Sequence, residues 1–90
     1  GYPQYFISKN KIELTPEIDV DAILVEVQNY FSDEDVTTID GVKIDFENGW
    51  VHLRKSNTEP IIRVYSESIN EEEANQLAQM VIDIVNKVSS

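Results

Sequence analysis

Residues 50–65 read WVHLRKSNTEPIIRVY. Apolar side chains alternate with polar ones on both sides of a short polar stretch, which predicts a strand, a loop and a second strand. Pro60 has no N–H to donate and biases Glu59 toward an extended conformation. The chain therefore leaves the loop directly into the next strand, and the rest of the fold has to cover one face of this strand pair.

The loop between these two strands is rich in polar donors, with Arg54, Ser56, Asn57 and Thr58 inside it and Arg63 just beyond. Hydroxyls, an amide, guanidinium groups and the N–H groups of a turn are the donors that proteins use to hold a phosphate. Serine, asparagine and threonine also form ordinary turns by bonding their own backbone. Composition alone leaves both interpretations open, a phosphate site and a plain turn.

A third strand is predicted immediately before this pair. Residues 42–46 alternate apolar and polar side chains, as a half-buried strand does. Asn48 and Gly49 both tolerate positive φ and are typical of a type I′ hairpin turn. Val51 and Leu53 continue the alternation on the return strand, so we expect three antiparallel strands in succession.

Two segments have the apolar spacing of amphipathic helices. The first begins at Thr15-Pro16-Glu17, where a capping residue, an early proline and an acidic first turn are typical of a helix start, and runs for about 14 residues to Phe31. The second follows Asn70, which resembles a capping box with Glu73, and keeps one apolar stripe to Val88.

The remaining segments complete the architecture. Residues 5–14 predict one long strand or two short ones, and the acidic residues 33–38 (DEDVTT) predict a loop. That loop lacks the spacing and the closing glutamate of a calcium loop, so no metal site is expected. The order β-α-β-β-β-α predicts one α+β domain over residues 1–90, with two layers, about four antiparallel strands and both helices on one face.

Composition excludes several classes of function. The chain has 17 acidic and 7 basic residues, a net charge of −10, which repels nucleic acid and anionic membrane. It has no cysteine and one histidine, so disulfides and the usual zinc ligand sets are excluded. No apolar run approaches the ~18 residues of a membrane span. We expect a cytoplasmic protein, with no nucleic-acid or membrane partner.

Residues 54–60 (RKSNTEP), followed by IIRVY at 61–65, resemble the C-terminal phosphate-binding signature of the α-D-phosphohexomutases. This family contains the phosphomannomutases, phosphoglucomutases and phosphoglucosamine mutases. DGVKIDF at 40–46 and NGWV at 48–51 resemble the segment that precedes the signature. The resemblance covers residues 40–88 and, more loosely, the whole chain. It implies a TATA-binding-protein-like domain, the fourth and last of the enzyme, and favours the phosphate interpretation of the loop.

The resemblance also implies an activity for the whole enzyme. Phosphohexomutases are isomerases that transfer a phosphoryl group between the C1 and C6 oxygens of a hexose phosphate, such as mannose or glucose 1- or 6-phosphate. Their phosphoserine and Mg²⁺ are held by other domains, which are the expected partners of this one. The last domain clamps the phosphate that is not being transferred, so no catalytic residue, metal or cofactor is expected here and the domain alone is predicted to be inactive.

The same resemblance implies a role for each residue of the loop. Arg54 would make bidentate charge-assisted bonds, and Ser56 and Thr58 would supply hydroxyl and backbone donors. Asn57 would contribute chiefly its backbone.

Some alternatives stay open at this point. Arg63 either joins the clamp or pairs with Glu59 or Glu67. The chain as a whole is either the domain of a phosphomannomutase or phosphoglucomutase, the same domain of a phosphoglucosamine mutase, or a non-enzymatic α+β interaction module.

Overall fold

Seven elements follow one another along residues 5–90, the range that this computed structural model describes. The first four residues of the predicted domain 1–90 lie outside that range. The elements are β1 (Phe6–Glu13), α1 (Val20–Tyr30), β2 (Asp35–Thr37), β3 (Val42–Phe46), β4 (Gly49–Lys55), β5 (Ile61–Ser68) and α2 (Glu71–Ser89).

The strands form one antiparallel sheet in the spatial order β1-β5-β4-β3-β2. The α+β class, the two-layer arrangement and the three successive strands are confirmed. The first strand is a single long one. The strand count differs by one, because residues 33–38 are not only a loop: Asp35–Thr37 pairs with β3, with Val36 opposite Ile44. A strand of three residues at the edge of a sheet is too short to show an alternating pattern in the sequence.

One face of the sheet is buried under both helices. Strand positions that point to this face alternate with exposed ones, and Leu53 and Val64, paired across β4 and β5, are both fully buried. The core that they share with the helices contains Ile12, Ile23, Leu24, Val27, Ile44, Val51, Ile62, Leu77, Val81 and Val85. The other face of the sheet carries no helix within residues 5–90, and Arg54 and Arg63 lie on it.

The start of the first helix was predicted wrongly. Residues 15–18 form a turn, in which the Ile18 N–H donates to the Thr15 carbonyl at 3.1 Å. Asp19 is the N-cap, and its carboxylate accepts from the Ala22 N–H at 3.2 Å, so α1 has 11 residues. Asp19 and Thr15, four residues earlier, are both residue types that favour the N-cap position, so composition alone did not decide between them.

The second helix begins where the sequence predicts. Asn70 caps α2 by accepting from the Glu73 N–H at 2.8 Å. Neither helix of residues 5–90 has the length and apolar character that a membrane crossing requires.

The hairpin between β3 and β4 is present, but its turn is not the predicted type I′. The turn residues are Glu47 and Asn48, and no residue other than glycine has positive φ in the described chain. Gly49 is needed instead for a close approach to β5, because a Cβ there would lie 2.0 Å from the Glu67 carbonyl oxygen.

Candidate functional site

Arg54 and Arg63 face each other on neighbouring strands. They are directly opposite in the antiparallel pairing of β4 and β5, and both are exposed on the face away from the helices. Side chains in this relationship have Cβ atoms about 4.5–5.5 Å apart, and like charges placed there destabilise a sheet. Two of the chain's seven cationic side chains are therefore held together against their mutual repulsion, an arrangement that an anion between them would stabilise.

The carboxylates near these arginines engage them only weakly. Nη2 of Arg54 lies 3.6 Å from Oδ2 of Asp40, and the two side chains are 53% and 71% exposed. This distance is too long for a good hydrogen bond, and an exposed pair contributes little. Neither Glu59 nor Glu67 forms an ion pair with Arg63 in residues 5–90. The structure therefore does not contain the internal ion pair that was the alternative for Arg63.

Ser56 organises the loop at the end of this strand pair. Its N–H donates to the Ile61 carbonyl at 3.1 Å, which continues the β4–β5 ladder by one step. Its Oγ accepts from the N–H groups of Thr58 and Glu59, both at 3.3 Å, and lies 3.4 Å from the Thr58 hydroxyl. These are the bonds of a serine turn, as the plain-turn interpretation expects. They are also long and exposed, so a phosphate oxygen could replace them at little cost.

The predicted site residues thus fall into two groups. The two arginines lie side by side on the sheet, and the Ser56–Thr58 loop closes the end of the same two strands. Ser56 comes directly after β4, two residues beyond Arg54. Asn57 and Thr58 are exposed at the tip.

Asp40 is a neighbour of the site that the sequence analysis did not identify. It is followed by Gly41, whose φ is +75° and whose Cβ, if present, would lie 2.2 Å from the Leu53 carbonyl oxygen. The His52 ring bonds the Asp40 carbonyl through Nε2. The turn is therefore pressed against β4, and the Asp40 carboxylate is held next to Arg54. The Asp-Gly pair before a strand was the only signal for this turn, and it did not indicate which side chain it would approach.

A groove opens beside the loop. It has a volume of about 410 Å³ and runs between α1 and the ends of β3 and β4, with Val25, Thr38, Arg54 and Asn57 among its lining residues. Lys55 closes one side, because its Nζ contacts both carboxylate oxygens of Asp21, at 2.8 and 3.1 Å. The volume is within the usual range for small-molecule sites.

The described residues offer no site for a metal. Within residues 5–90 no three or more histidine or acidic side chains come together in a way that could hold an ion. The groups near the loop include cations and hydrogen-bond donors, which are the groups that proteins use to hold an anion.

Comparison with known proteins identifies the family of this chain. The family model "Phosphoglucomutase/phosphomannomutase, C-terminal domain" matches residues 11–84. The chain belongs to this family of C-terminal domains, and the site described above falls inside the matched range.

Individual relatives agree with this assignment. The chain is 35% identical over 86 residues to a probable phosphoglucosamine mutase of Methanopyrus kandleri, covering 94% of this chain and 19% of that protein. It is 40% identical over 85 residues to a phosphoglucosamine/phosphogalactosamine mutase of Sulfurisphaera tokodaii, covering 92% and 19%. The chain thus spans about a fifth of the length of these relatives.

A solved structure supports the fold. A phosphoglucomutase/phosphomannomutase family protein from Burkholderia thailandensis superposes with a TM-score of 0.59 and 18% identity, over 97% of this chain and 18% of that one.

Proposed function

We propose that this domain is the phosphate clamp of a phosphohexomutase and binds the phosphate of a hexose phosphate that is not being transferred. The observation that carries the proposal is the pairing of Arg54 with Arg63 next to the Ser56–Thr58 loop. A dianion between the two guanidinium groups would replace their repulsion with two attractions. Membership of the C-terminal domain family supports the same assignment.

Each predicted residue has a role in this clamp. Arg54 and Arg63 approach the phosphate from two strands, and guanidinium groups can each donate two parallel bonds to its oxygens. The hydroxyls of Ser56 and Thr58 already lie 3.4 Å apart and can turn toward the same anion. Asn57 offers its backbone N–H at the loop tip. These groups hold and orient the phosphate, and none of them is placed to carry out the transfer.

The transfer itself is assigned to the rest of a longer protein. The donors of residues 5–90 do not fit Mg²⁺, which prefers carboxylate and water oxygens. We propose, from the resemblance to the family, that Mg²⁺ and the phosphoserine lie in other domains of that longer protein, where they would supply charge neutralisation and the phosphoryl group. The activity proposed for the whole protein is that of an isomerase acting by intramolecular phosphoryl transfer in the cytoplasm, where proteins rarely depend on disulfides.

The substrate is proposed to be a hexose or hexosamine phosphate. Both relatives described above carry names of phosphoglucosamine mutases, which favours the hexosamine alternative over mannose or glucose phosphate. The groove of about 410 Å³ beside the loop has room for part of a sugar ring.

The isolated domain should bind such a ligand weakly. Four or five charge-assisted bonds contribute about 1.5–3 kcal/mol each. Association costs at least about 4 kcal/mol, and ordering an exposed loop costs more. What remains corresponds to roughly millimolar affinity in open solvent. Closure of neighbouring domains would exclude water and strengthen the same bonds.

Nuclear magnetic resonance titration of the 90-residue chain tests the proposal. With glucosamine 6-phosphate as the probe, the backbone signals that shift should gather at residues 54–63, and Arg54→Ala should abolish the shifts while leaving the spectrum of a folded protein. Glucosamine at the same concentrations is the control for the sugar alone. Absence of shifts up to tens of millimolar, or shifts elsewhere, would favour a non-enzymatic interaction module instead.

A further inference from the structure

Lys11 extends the pair of arginines into a row of three cations. In the register of β1 with β5, Lys11 is directly opposite Arg63, and Arg63 is directly opposite Arg54 on the other side. All three side chains are exposed on the uncovered face, since their strand neighbours Ile12 and Ile62 point into the core. Neighbouring strands are about 4.8 Å apart, so the row spans about 10 Å.

The carboxylates of residues 5–90 neutralise this row only weakly, since its one ion pair in that range is the exposed 3.6 Å contact of Arg54 with Asp40. Although the chain has 17 acidic residues, neither Lys11 nor Arg63 forms an ion pair within residues 5–90. Glu13 is the carboxylate next to Lys11 on the same strand face, where it is opposite Ile61 rather than a cation, and it too is unpaired in this range. Three like charges in adjacent positions lower the stability of the sheet. A lysine with no binding role would not offset that loss.

The other cations of the face are in a different situation. Lys9 is opposite Tyr65, one row farther from the loop. Lys43 lies 3.6 Å from Asp45 and 5.4 Å from the centre of the Trp50 ring, so it is already engaged by an acid and an aromatic face. In the part of the chain that the structure describes, Lys11 is the cation that adds an unengaged charge beside Arg63.

We propose that Lys11 is a third phosphate-binding residue, so that the anion site extends from the loop across β4, β5 and β1 and takes a doubly charged phosphate monoester. The inference rests on the proposed phosphate clamp and adds a residue to it. A lysine suits this position, because its flexible stem places a point charge without requiring the planar geometry of a guanidinium. The flexible stem would let the ammonium group reach past Arg63 to an oxygen of the phosphate held between the two arginines.

The experiment compares three variants of the 90-residue chain with the wild type in nuclear magnetic resonance titrations with inorganic phosphate and with glucosamine 6-phosphate, at constant ionic strength. Lys11→Gln should weaken the affinity for both probes about three- to tenfold. Lys11→Arg keeps the charge and should stay within about twofold of the wild type. Lys9→Gln is the matched control, with the same strand, face and charge change, and should also stay within about twofold because it is one row away.

The outcomes separate this inference from the clamp on which it rests. Wild-type binding that is lost in Arg54→Ala but unchanged in Lys11→Gln would overturn the role of Lys11 and leave the clamp standing. Equal losses in Lys11→Gln and Lys9→Gln would also overturn it, because they would show a diffuse effect of net charge. Absence of wild-type binding up to tens of millimolar would overturn both.

Discussion

Asp40 lies beside the arginine on which the proposed clamp depends, with 3.6 Å between its Oδ2 and Nη2 of Arg54. A bound phosphate would compete with this carboxylate for the same guanidinium and would be repelled by it. Because the pair is long and exposed, its contribution to holding Arg54 in place is small. Asp40 therefore acts as a weak internal competitor of the ligand.

Replacement of this carboxylate should tighten phosphate binding. We expect Asp40→Asn to raise the affinity for inorganic phosphate about two- to threefold, since a screened repulsion is removed and the backbone bond from His52 is retained. The measurement is the dissociation constant from chemical-shift titration. Asp45→Asn is the matched control, because Asp45 forms a pair of the same 3.6 Å length with Lys43 far from the loop. A lower affinity in Asp40→Asn than in the control would show instead that Asp40 positions Arg54.

The like-charged row should reduce stability when no ligand is present. We expect Arg63→Gln to raise the free energy of unfolding by a few tenths of a kcal/mol, because it relieves repulsion from both Arg54 and Lys11. Phosphate at ten times its dissociation constant should stabilise the wild type by about 1.4 kcal/mol and the variant by much less. Urea unfolding with and without phosphate measures both effects. If the variant is less stable than the wild type without ligand, repulsion among the three cations does not lower the stability of the domain.

Binding of a phosphate monoester should strengthen as pH rises through about 6. The second pKa of a phosphate monoester is about 6, so the fraction of dianion grows between about pH 5 and pH 7, and a row of cations prefers the dianion. Titrations with glucosamine 6-phosphate at several pH values test this, and sulfate, whose charge is constant over that range, is the control ligand. His52→Gln removes the one histidine of the chain and should leave this pH dependence unchanged. An affinity for the phosphate monoester that follows the flat profile of sulfate would exclude selection of the dianion.

The two glycines should have separable effects. A Cβ at Gly41 would meet the Leu53 carbonyl oxygen at 2.2 Å, and at Gly49 the Glu67 carbonyl oxygen at 2.0 Å. Both Gly41→Ala and Gly49→Ala should destabilise the domain by at least about 1–3 kcal/mol, because the backbone must move. Only Gly41→Ala should also weaken phosphate binding, since the added Cβ would push on the Leu53 carbonyl and on Cγ of Arg54, which lies 3.4 Å away, and would so displace Arg54 itself. Calorimetry measures the first effect and ligand titration the second, and equal binding by both variants would show that this turn does not influence the site.

Local patterns were sufficient for most of the architecture. Alternation in residues 42–46 and 51–53 identified two strands of the sheet, and the stripe that begins at Ala74 identified α2, because both reflect burial of one side of a regular element. The strand Asp35–Thr37 was missed, since an edge strand of three residues buries too little to leave a pattern.

The neighbourhood of the site was less accessible from the sequence. The loop and its two arginines could be proposed from residue types and a resemblance. Lys11 lies opposite Arg63 because of the register of β1 with β5, two strands about 50 residues apart in the chain. Local sequence does not reveal this register, because it is set by tertiary pairing. The contact of Asp40 with Arg54 depends likewise on a turn whose approach to β4 only the folded chain shows.

The division of the sheet into a helix-covered side and a charged side makes the domain convenient for labelling. Met80 is 40% exposed on α2, in the layer behind the sheet, and the chain has no native cysteine. A single thiol introduced there would accept a fluorophore without competition and without touching the cations on the opposite surface. A dye attached there would label the domain without occupying the proposed phosphate site.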